Sequence, residues 1–344
     1  ATSTVLGGAD ADTLIFGSSA VFQTSSISGG DNDDSLVFSA VVNSGTTVAA
    51  GTGNDTISFA SSVSMAVVSA GGGNDSVVFN ALVTSSTVYG GGIAGVQTMV
   101  FSSAADSLTF SGNFGSGFIS LGLGADSVAF QGSALSGTTL TGLSESGDRV
   151  SLLGSNTMVF GSDGIASGVQ VSFGSNNDMA TFTGTVGAAS IYGGAGADTF
   201  RFEAAVASAT IDAGAGADSL YFGAAVSGVT LTGDGADTFS LQGTNTVVFG
   251  ALSTAATQVS FGANADLATF TGAVSAGSIY GGGGADTLVF SSIGLTGTTV
   301  AGGAGADLFS GSVTIGNSGV SFWGGADADT FNFSSFTGAG SGTA

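Results

Sequence analysis

An aspartate recurs along this chain at a nearly fixed interval, and that interval limits the fold more than any other feature. The Asp closing each glycine-rich stretch serves as a ruler: Asp12, Asp34, Asp55, Asp75, Asp106, Asp126, Asp148, Asp178, Asp198, Asp218, Asp237, Asp266, Asp286, Asp307 and Asp329. Eleven of the fourteen intervals are 19–22 residues, and the other three are 29–31. Phe follows four residues after the ruler Asp in twelve of the fifteen repeats, from Phe16 to Phe333. The residue two after the Asp is usually apolar as well, as in Leu14, Ile57, Phe200 and Leu288. Apolar residues two apart on one face have strand periodicity. A second apolar file lies seven before the Asp, including Val5, Ile27, Val48, Ile191 and Val300. Each unit therefore reads as strand, turn, strand, Gly-Asp turn.

A unit of two short strands cannot bury its own apolar face, but it can do so against copies of itself. The expected fold is all-β: a right-handed parallel β-solenoid, β-roll-like, of about fifteen coils of ~20 residues. Its Gly-Asp turns are expected on one edge and a hydroxyl-rich edge, with SGTT and SSIGLTGTT, on the other. Coils about 4.8 Å apart would make a rod about 70 Å long. One continuous domain is expected over residues 1–344, with an internal duplication that returns after about 88 residues and relates 156–218 to 245–307. The three intervals with about ten extra residues read as an added short strand, forming either a third leg or a ridge. The absence of proline fits, because each coil needs its N–H groups for its neighbours. An outer-membrane barrel would want aromatic girdles, and one Trp with four Tyr does not supply them.

Composition narrows function. Arg149 and Arg201 are the only basic side chains against 24 acidic ones, for a formal charge of −22. So acidic a surface repels nucleic acid and anionic membranes and attracts cations. Hydrophobic residues make up 43% of the chain, enough for a core in spite of the charge. No stretch of 18 apolar residues is present, so no membrane insertion is expected. With no His, Cys or Lys, the common triads and a Schiff base cannot be built, and the chain is not expected to be an enzyme. Glu145 and Glu203 stand alone, the latter beside Arg201 as an ordinary ion pair.

The turns read GGAGADTF at 193–200, GGGGADTL at 281–288, GGAGADLF at 302–309, AGTGNDTI at 50–57 and AGGGNDSV at 70–77. They resemble the RTX, or haemolysin-type, nonapeptide GGxGxDxUx. That resemblance implies a parallel β-roll whose turn carbonyls and Asp carboxylates bind Ca2+. Calcium is a hard cation that takes oxygen ligands, and glycine lets a backbone turn its carbonyls inward. The residues so implicated are Asp10, Asp12, Asp34, Asp55, Asp75, Asp126, Gly193, Gly194, Gly196, Asp198, Gly214, Gly216, Asp218, Asp237, Gly281, Gly282, Gly284, Asp286, Gly302, Gly303, Gly305, Asp307, Asp327 and Asp329. At Asp12, Asp34 and Asp329 the third glycine is replaced by Asp10, Asn32 and Asp327, residue types that tolerate a left-handed backbone. The turns before Asp106 (FSSAAD) and Asp148 (LSESGD) depart from the motif. Those before Asp178 (FGSNND) and Asp266 (FGANAD) match it in part.

The composition is also similar to RTX-containing bacterial S-layer proteins. The expected role is a secreted calcium-binding structural protein, extracellular and at the cell surface, that self-assembles into a layer, sheath or filament. The terminal turns share GGADADT at 7–13 and 324–330, which points to a head-to-tail homopolymer or lattice. Cell-surface polysaccharide is a further expected partner. The alternative is a calcium-dependent adhesin or an ice-binding segment of a larger surface protein.

Overall fold

The structure is a computed structural model that describes residues 3–89, 97–111, 117–131, 135–252, 256–316 and 319–338. Among these residues every regular element is a strand, and neighbouring strands pair in parallel. The chain forms a parallel β-solenoid. Its contacts divide it into two units, Ala1–Gly174 and Ser175–Ala344.

In the first unit one sheet stacks Thr13–Phe16, Ser35–Phe38, Thr56–Phe59 and Ser76–Phe79. The other stacks Thr4–Gly8, Ser26–Asp31, Thr47–Thr52 and Val67–Gly72. Register follows the sequence period, so that Leu14 pairs with Leu36 and Phe16 with Phe38. Like residues then stack on like. The rings of Phe16, Phe38, Phe59, Phe79 and Phe101 form a column with centroids 4.8–4.9 Å apart. That is the strand spacing itself, and each such pair adds about 0.5–1.5 kcal/mol beyond the area it buries. Each strand alternates between core and surface, with Ser and Thr at many outward positions and Leu6 and Ile15 exposed among them.

The second unit repeats this construction. Met179–Phe182, Thr199–Phe202, Ser219–Phe222 and Thr238–Leu241 lie in one sheet. Ser190–Tyr192, Thr210–Asp212 and Val226–Gly233 lie in the other. Phe182, Phe202 and Phe222 stack with centroids 4.5 and 4.7 Å apart.

The ten-residue excesses are neither third legs nor ridges. Each is half a coil, one strand with its turn. After Asp75 the strand Gln97–Val100 pairs with Ser76–Phe79 in the same sheet. The strand after Asp106, Ser107–Ser111, then pairs with Ser86–Tyr89 in the opposite sheet. The same happens in the second unit. Gln258–Phe261 follows Thr238–Leu241 in one sheet, whereas Leu267–Phe270, after Asp266, pairs with Asn245–Leu252 in the other. Adding half a coil moves every later residue to the other side of the stack. The Asp turns therefore do not keep to one edge, contrary to the expectation from the sequence. Within each unit a run on one edge is succeeded by a run on the other.

The hydroxyl-rich edge is corrected in part. Thr46, Thr138 and Thr298 are buried. Ser18, Ser19, Thr24 and Ser44 stay exposed on that edge, and further hydroxyls line the sheet faces, as in the register column Thr199, Ser219, Thr238, Gln258, Ser278, Thr299, Ser321, in which Gln258 replaces a hydroxyl.

Candidate metal-binding edges

The ruler aspartates are not surface groups. Asp34, Asp55, Asp75, Asp126, Asp198, Asp218, Asp237, Asp286 and Asp307 are each at most 3% exposed. The local chain path explains this. The residue after each Asp begins a strand, which places the Asp at the inner corner of the turn. There its Oδ1 accepts the backbone N–H of the ruler Asp one coil earlier. Asp12 N–H donates to Asp34 at 2.7 Å, Asp34 to Asp55 at 2.8 Å and Asp55 to Asp75 at 2.9 Å. Asp198 donates to Asp218 at 2.8 Å, Asp218 to Asp237 at 3.1 Å, Asp286 to Asp307 at 2.9 Å and Asp307 to Asp329 at 3.0 Å. Carboxylates thus form ladders along the edges.

One oxygen of each carboxylate is used in this way and the other is not. Oδ2 of Asp34, Asp55, Asp126, Asp198, Asp286 and Asp307 is buried without a hydrogen-bond partner. An unpaired buried carboxylate oxygen is costly. Burial pushes the Asp55 and Asp237 carboxyls up to about 6 and those of Asp126, Asp198 and Asp286 up to about 7. Backbone N–H donors oppose that rise, and neighbouring ladder carboxylates add to it. A bound cation would supply that compensation where the turn leaves room for one.

The glycines show where a cation fits. Gly193, Gly281 and Gly302 are buried, and a side chain there would collide with oxygen. A Cβ on Gly193 would meet Asp198 Oδ2 at 2.9 Å and the carbonyl of Ala213 one coil on. One on Gly281 would meet Asp286 Oδ2 at 2.6 Å and the Gly302 carbonyl, and one on Gly302 would meet Asp307 Oδ2 and, at 2.6 Å, the Gly324 carbonyl. Each cradle gathers a carboxylate oxygen and a backbone carbonyl around space that must stay free of carbon. The second and third glycines do different work. Gly194, Gly196, Gly214, Gly216, Gly282, Gly284, Gly303 and Gly305 have φ between 93° and 146°, which turns the chain at the corner. Asn32 and Asp327 take this role with φ of 73° and 79°. Asp10 and Asp327 are exposed, and Asp12 and Asp329 are half-buried.

Among the described residues no three acidic side chains gather at one point. Each turn contributes one inward carboxylate, so any ion there must take the rest of its shell from backbone carbonyls. Calcium, with its six to eight oxygens in flexible geometry, suits that donor set.

The sequence pattern under-read four positions. Asp106, Asp148, Asp178 and Asp266 occupy the same buried ladders as the others, despite their poor turn motifs. The Asp spacing with a Phe or Leu four residues later was the signal for them. It also missed the neutral groups at the edge switches. Gln97, buried where the next Asp of its column would stand, donates from Nε2 to the Gly73 carbonyl at 2.8 Å. Thr257 holds the matching place after Asp237, and its hydroxyl donates to the Gly235 carbonyl at 3.2 Å. Asn245 begins the second run, its Nδ2 donating to Asp266 Oδ1 at 2.9 Å.

Residues 176–204, 210–225 and 278–292 match the family model of the RTX calcium-binding nonapeptide repeat, in four copies. The matched segments contain the glycine cradles of Asp198 and Asp286. With the stacked parallel coils, the match fits an RTX repeat protein, and the ion that such repeats bind is calcium. No curated protein matches the chain.

Proposed function

We propose that this chain is a secreted calcium-dependent structural protein of the cell surface, whose copies associate into a layer, sheath or filament. The observation that carries the reading is the ladder of buried carboxylates, each with one oxygen uncompensated beside an inward position held to Gly or Ala. Calcium at Asp34, Asp55, Asp75, Asp198, Asp218, Asp237, Asp286 and Asp307, with the cradle carbonyls, would complete these turns and staple consecutive coils. Asp12 and Asp329, half-buried, are candidate ligands of the same kind. Asp10 and Asp327 serve the outside of the turn.

Stacked coils whose turns carry the carboxylates and whose outward files carry many hydroxyls suit a building element rather than a reaction vessel. The GGADADT turns at 7–13 and 324–330 are the contact we assign to head-to-tail association. Electron microscopy and light scattering of the purified protein with and without millimolar calcium test it. Ordered assemblies that form with calcium and dissolve with chelator are expected. A monodisperse monomer at high concentration in calcium would refute the assembly.

One observation favours a second reading, adhesion to polysaccharide. Tyr221, Tyr280 and Trp323 lie in one outward register column of the second unit. Tyr280 and Trp323 are 45% and 64% exposed, enough to stack on sugar rings. Arg201 lies over Tyr221 at 4.5 Å and pairs with Glu203 at 3.1 Å. This column adjoins the hydroxyl column and breaks up what an ice-binding face would need as a second file of threonines. Pull-down on insoluble polysaccharides, comparing the protein with its Trp323→Ala variant, separates this reading from assembly.

A further inference from the structure

The turns that share the carboxylate ladder do not share the cradle. The position five residues before the ruler Asp faces inward, and what it carries differs along the first unit. Before Asp34, Asp55 and Asp75 it is Gly29, Ala50 and Ala70. A Cβ on Gly29 would already run into Asp34 Oδ2 and the Ala50 carbonyl. Before Asp106, Asp126 and Asp148 the same position carries Phe101, Leu121 and Leu143, all at most 4% exposed. Phe101 belongs to the phenylalanine column, stacked on Phe79 at 4.8 Å. A whole apolar side chain therefore lies where the other turns keep oxygen and space. Oδ2 of Asp106, Asp126 and Asp148 is buried without a hydrogen-bond partner, as in the other turns, so the difference between the two runs is the inward side chain alone.

We propose that calcium enters only turns with Gly or Ala at the inward position, five residues before the Asp or, at Asp237, four before it at Gly233, and that the coils of Asp106, Asp126 and Asp148 form a metal-free segment sealed by Phe101, Leu121 and Leu143. This rests on the reading of the chain as a calcium-binding solenoid and divides its turns into two kinds. A hard cation needs six to eight oxygens, and Phe or Leu supplies none while excluding water. The segment is held by its own packing. Phe110 and Phe130 stack at 4.8 Å, and the backbone ladder from Asp106 to Asp126 and from Asp126 to Asp148 stays intact at 2.8 Å. Asp126, whose turn LGLGAD resembles the calcium motif, is thereby removed from the ligand set.

Asp→Asn substitutions test this with little change of shape, since the amide oxygen still accepts the ladder N–H. Native mass spectrometry at neutral pH and saturating calcium would count ions on the full chain and on its Asp126→Asn and Asp198→Asn variants. The expected result is an unchanged count for D126N and a loss of at least one ion for D198N. A loss in D126N, or none in D198N, would overturn the partition while leaving calcium binding in place. No calcium on the unaltered chain would overturn both readings. Hydrogen exchange on the unaltered chain needs no variant. Strands Ser107–Ser111, Ser127–Gln131 and Arg149–Leu152 should keep their protection in chelator, while Thr47–Thr52 and Val67–Gly72 lose at least tenfold. Equal loss in both groups would overturn the proposal.

Discussion

Two runs of coils in the first unit have the same backbone ladder and different interiors. Around Asp34, Asp55 and Asp75 the inner corner of the turn is lined by Gly29, Ala50 and Ala70. Around Asp106, Asp126 and Asp148 it is filled by Phe101, Leu121 and Leu143. In both runs the carboxylate accepts an N–H from the coil before at 2.7–2.9 Å. Geometry that looks the same from the backbone thus serves an electrostatic staple in one run and an apolar plug in the other. The Asp fixes the corner; the residue five before it decides what else the corner can hold.

Calcium removal is the strongest way to press on this contrast. Chelation at neutral pH should unfold the Gly- and Ala-lined coils, because their carboxylates lose their counter-charge while remaining buried. Circular dichroism should show a large loss of strand signal that calcium restores. Acid should partly replace the metal. Burial raises the Asp55, Asp198 and Asp286 carboxyls to about 6, 7 and 7, against about 3.9 in an unfolded chain. The metal-free fold binds protons more tightly than the unfolded chain. Its support from these groups is full below about pH 4 and is lost as pH rises through about 6–7. A chelated sample should therefore regain strand signal between pH 7 and 4, whereas the calcium-loaded protein should release its ions over the same descent. A chelated spectrum indifferent to pH would show that these carboxylates are not the source of the instability.

The aromatic column is the next largest effect. Phe59→Ala should cost about 3–5 kcal/mol, as for a fully buried aromatic, since its ring stacks on Phe38 and Phe79 at 4.9 Å. Phe118 is 38% exposed on the outer face, and Phe118→Ala should cost about 1 kcal/mol or less. Denaturant melts in calcium compare the two, and equal costs would mean that the column is not a continuous core.

Coil length, strand direction and inward file were all legible in the chain. Phe at a fixed offset from Asp leaves one register in which Phe16 meets Phe38 and Phe38 meets Phe59, and stacking requires it. The edge switch was legible only in part. The strings MVF at 99–101 and VVF at 247–249 repeat the strand signature without an Asp, as strands inserted half a coil early must. Reading Asp as the only marker of a coil turned that half coil into an insertion. The turn before Asp126 misled for a related reason. LGLGAD has the glycines of the motif at 122 and 124, but the exclusion comes from Leu121, whose inward direction depends on which strand precedes the turn. Gln97, Asn245 and Thr257 were not legible, because their roles exist only where a carboxylate column begins or ends.

The smallest expected effect concerns a residue whose surroundings the sequence pattern misplaced. Thr298 lies in a hydroxyl-rich stretch that reads as a solvated edge, where its loss would cost little. In the fold it is 1% exposed, and its hydroxyl lies 3.1 Å from the Val274 carbonyl and 3.2 Å from that of Thr296. These two carbonyls belong to adjacent coils, so the hydroxyl links coils on the side of the stack away from the glycine cradles of its neighbours. Thr298→Val keeps the shape and removes the donor, losing the side-chain hydrogen bond that links the coils, at a cost of about 1 kcal/mol. Thr314, by contrast, is exposed and shares its contact with the Thr337 hydroxyl, so Thr314→Val should change stability by less than about 0.5 kcal/mol. Denaturant melts of the two variants in calcium give the comparison directly. Equal, negligible costs would return Thr298 to the surface and make the neutral side of these coils a passive connection.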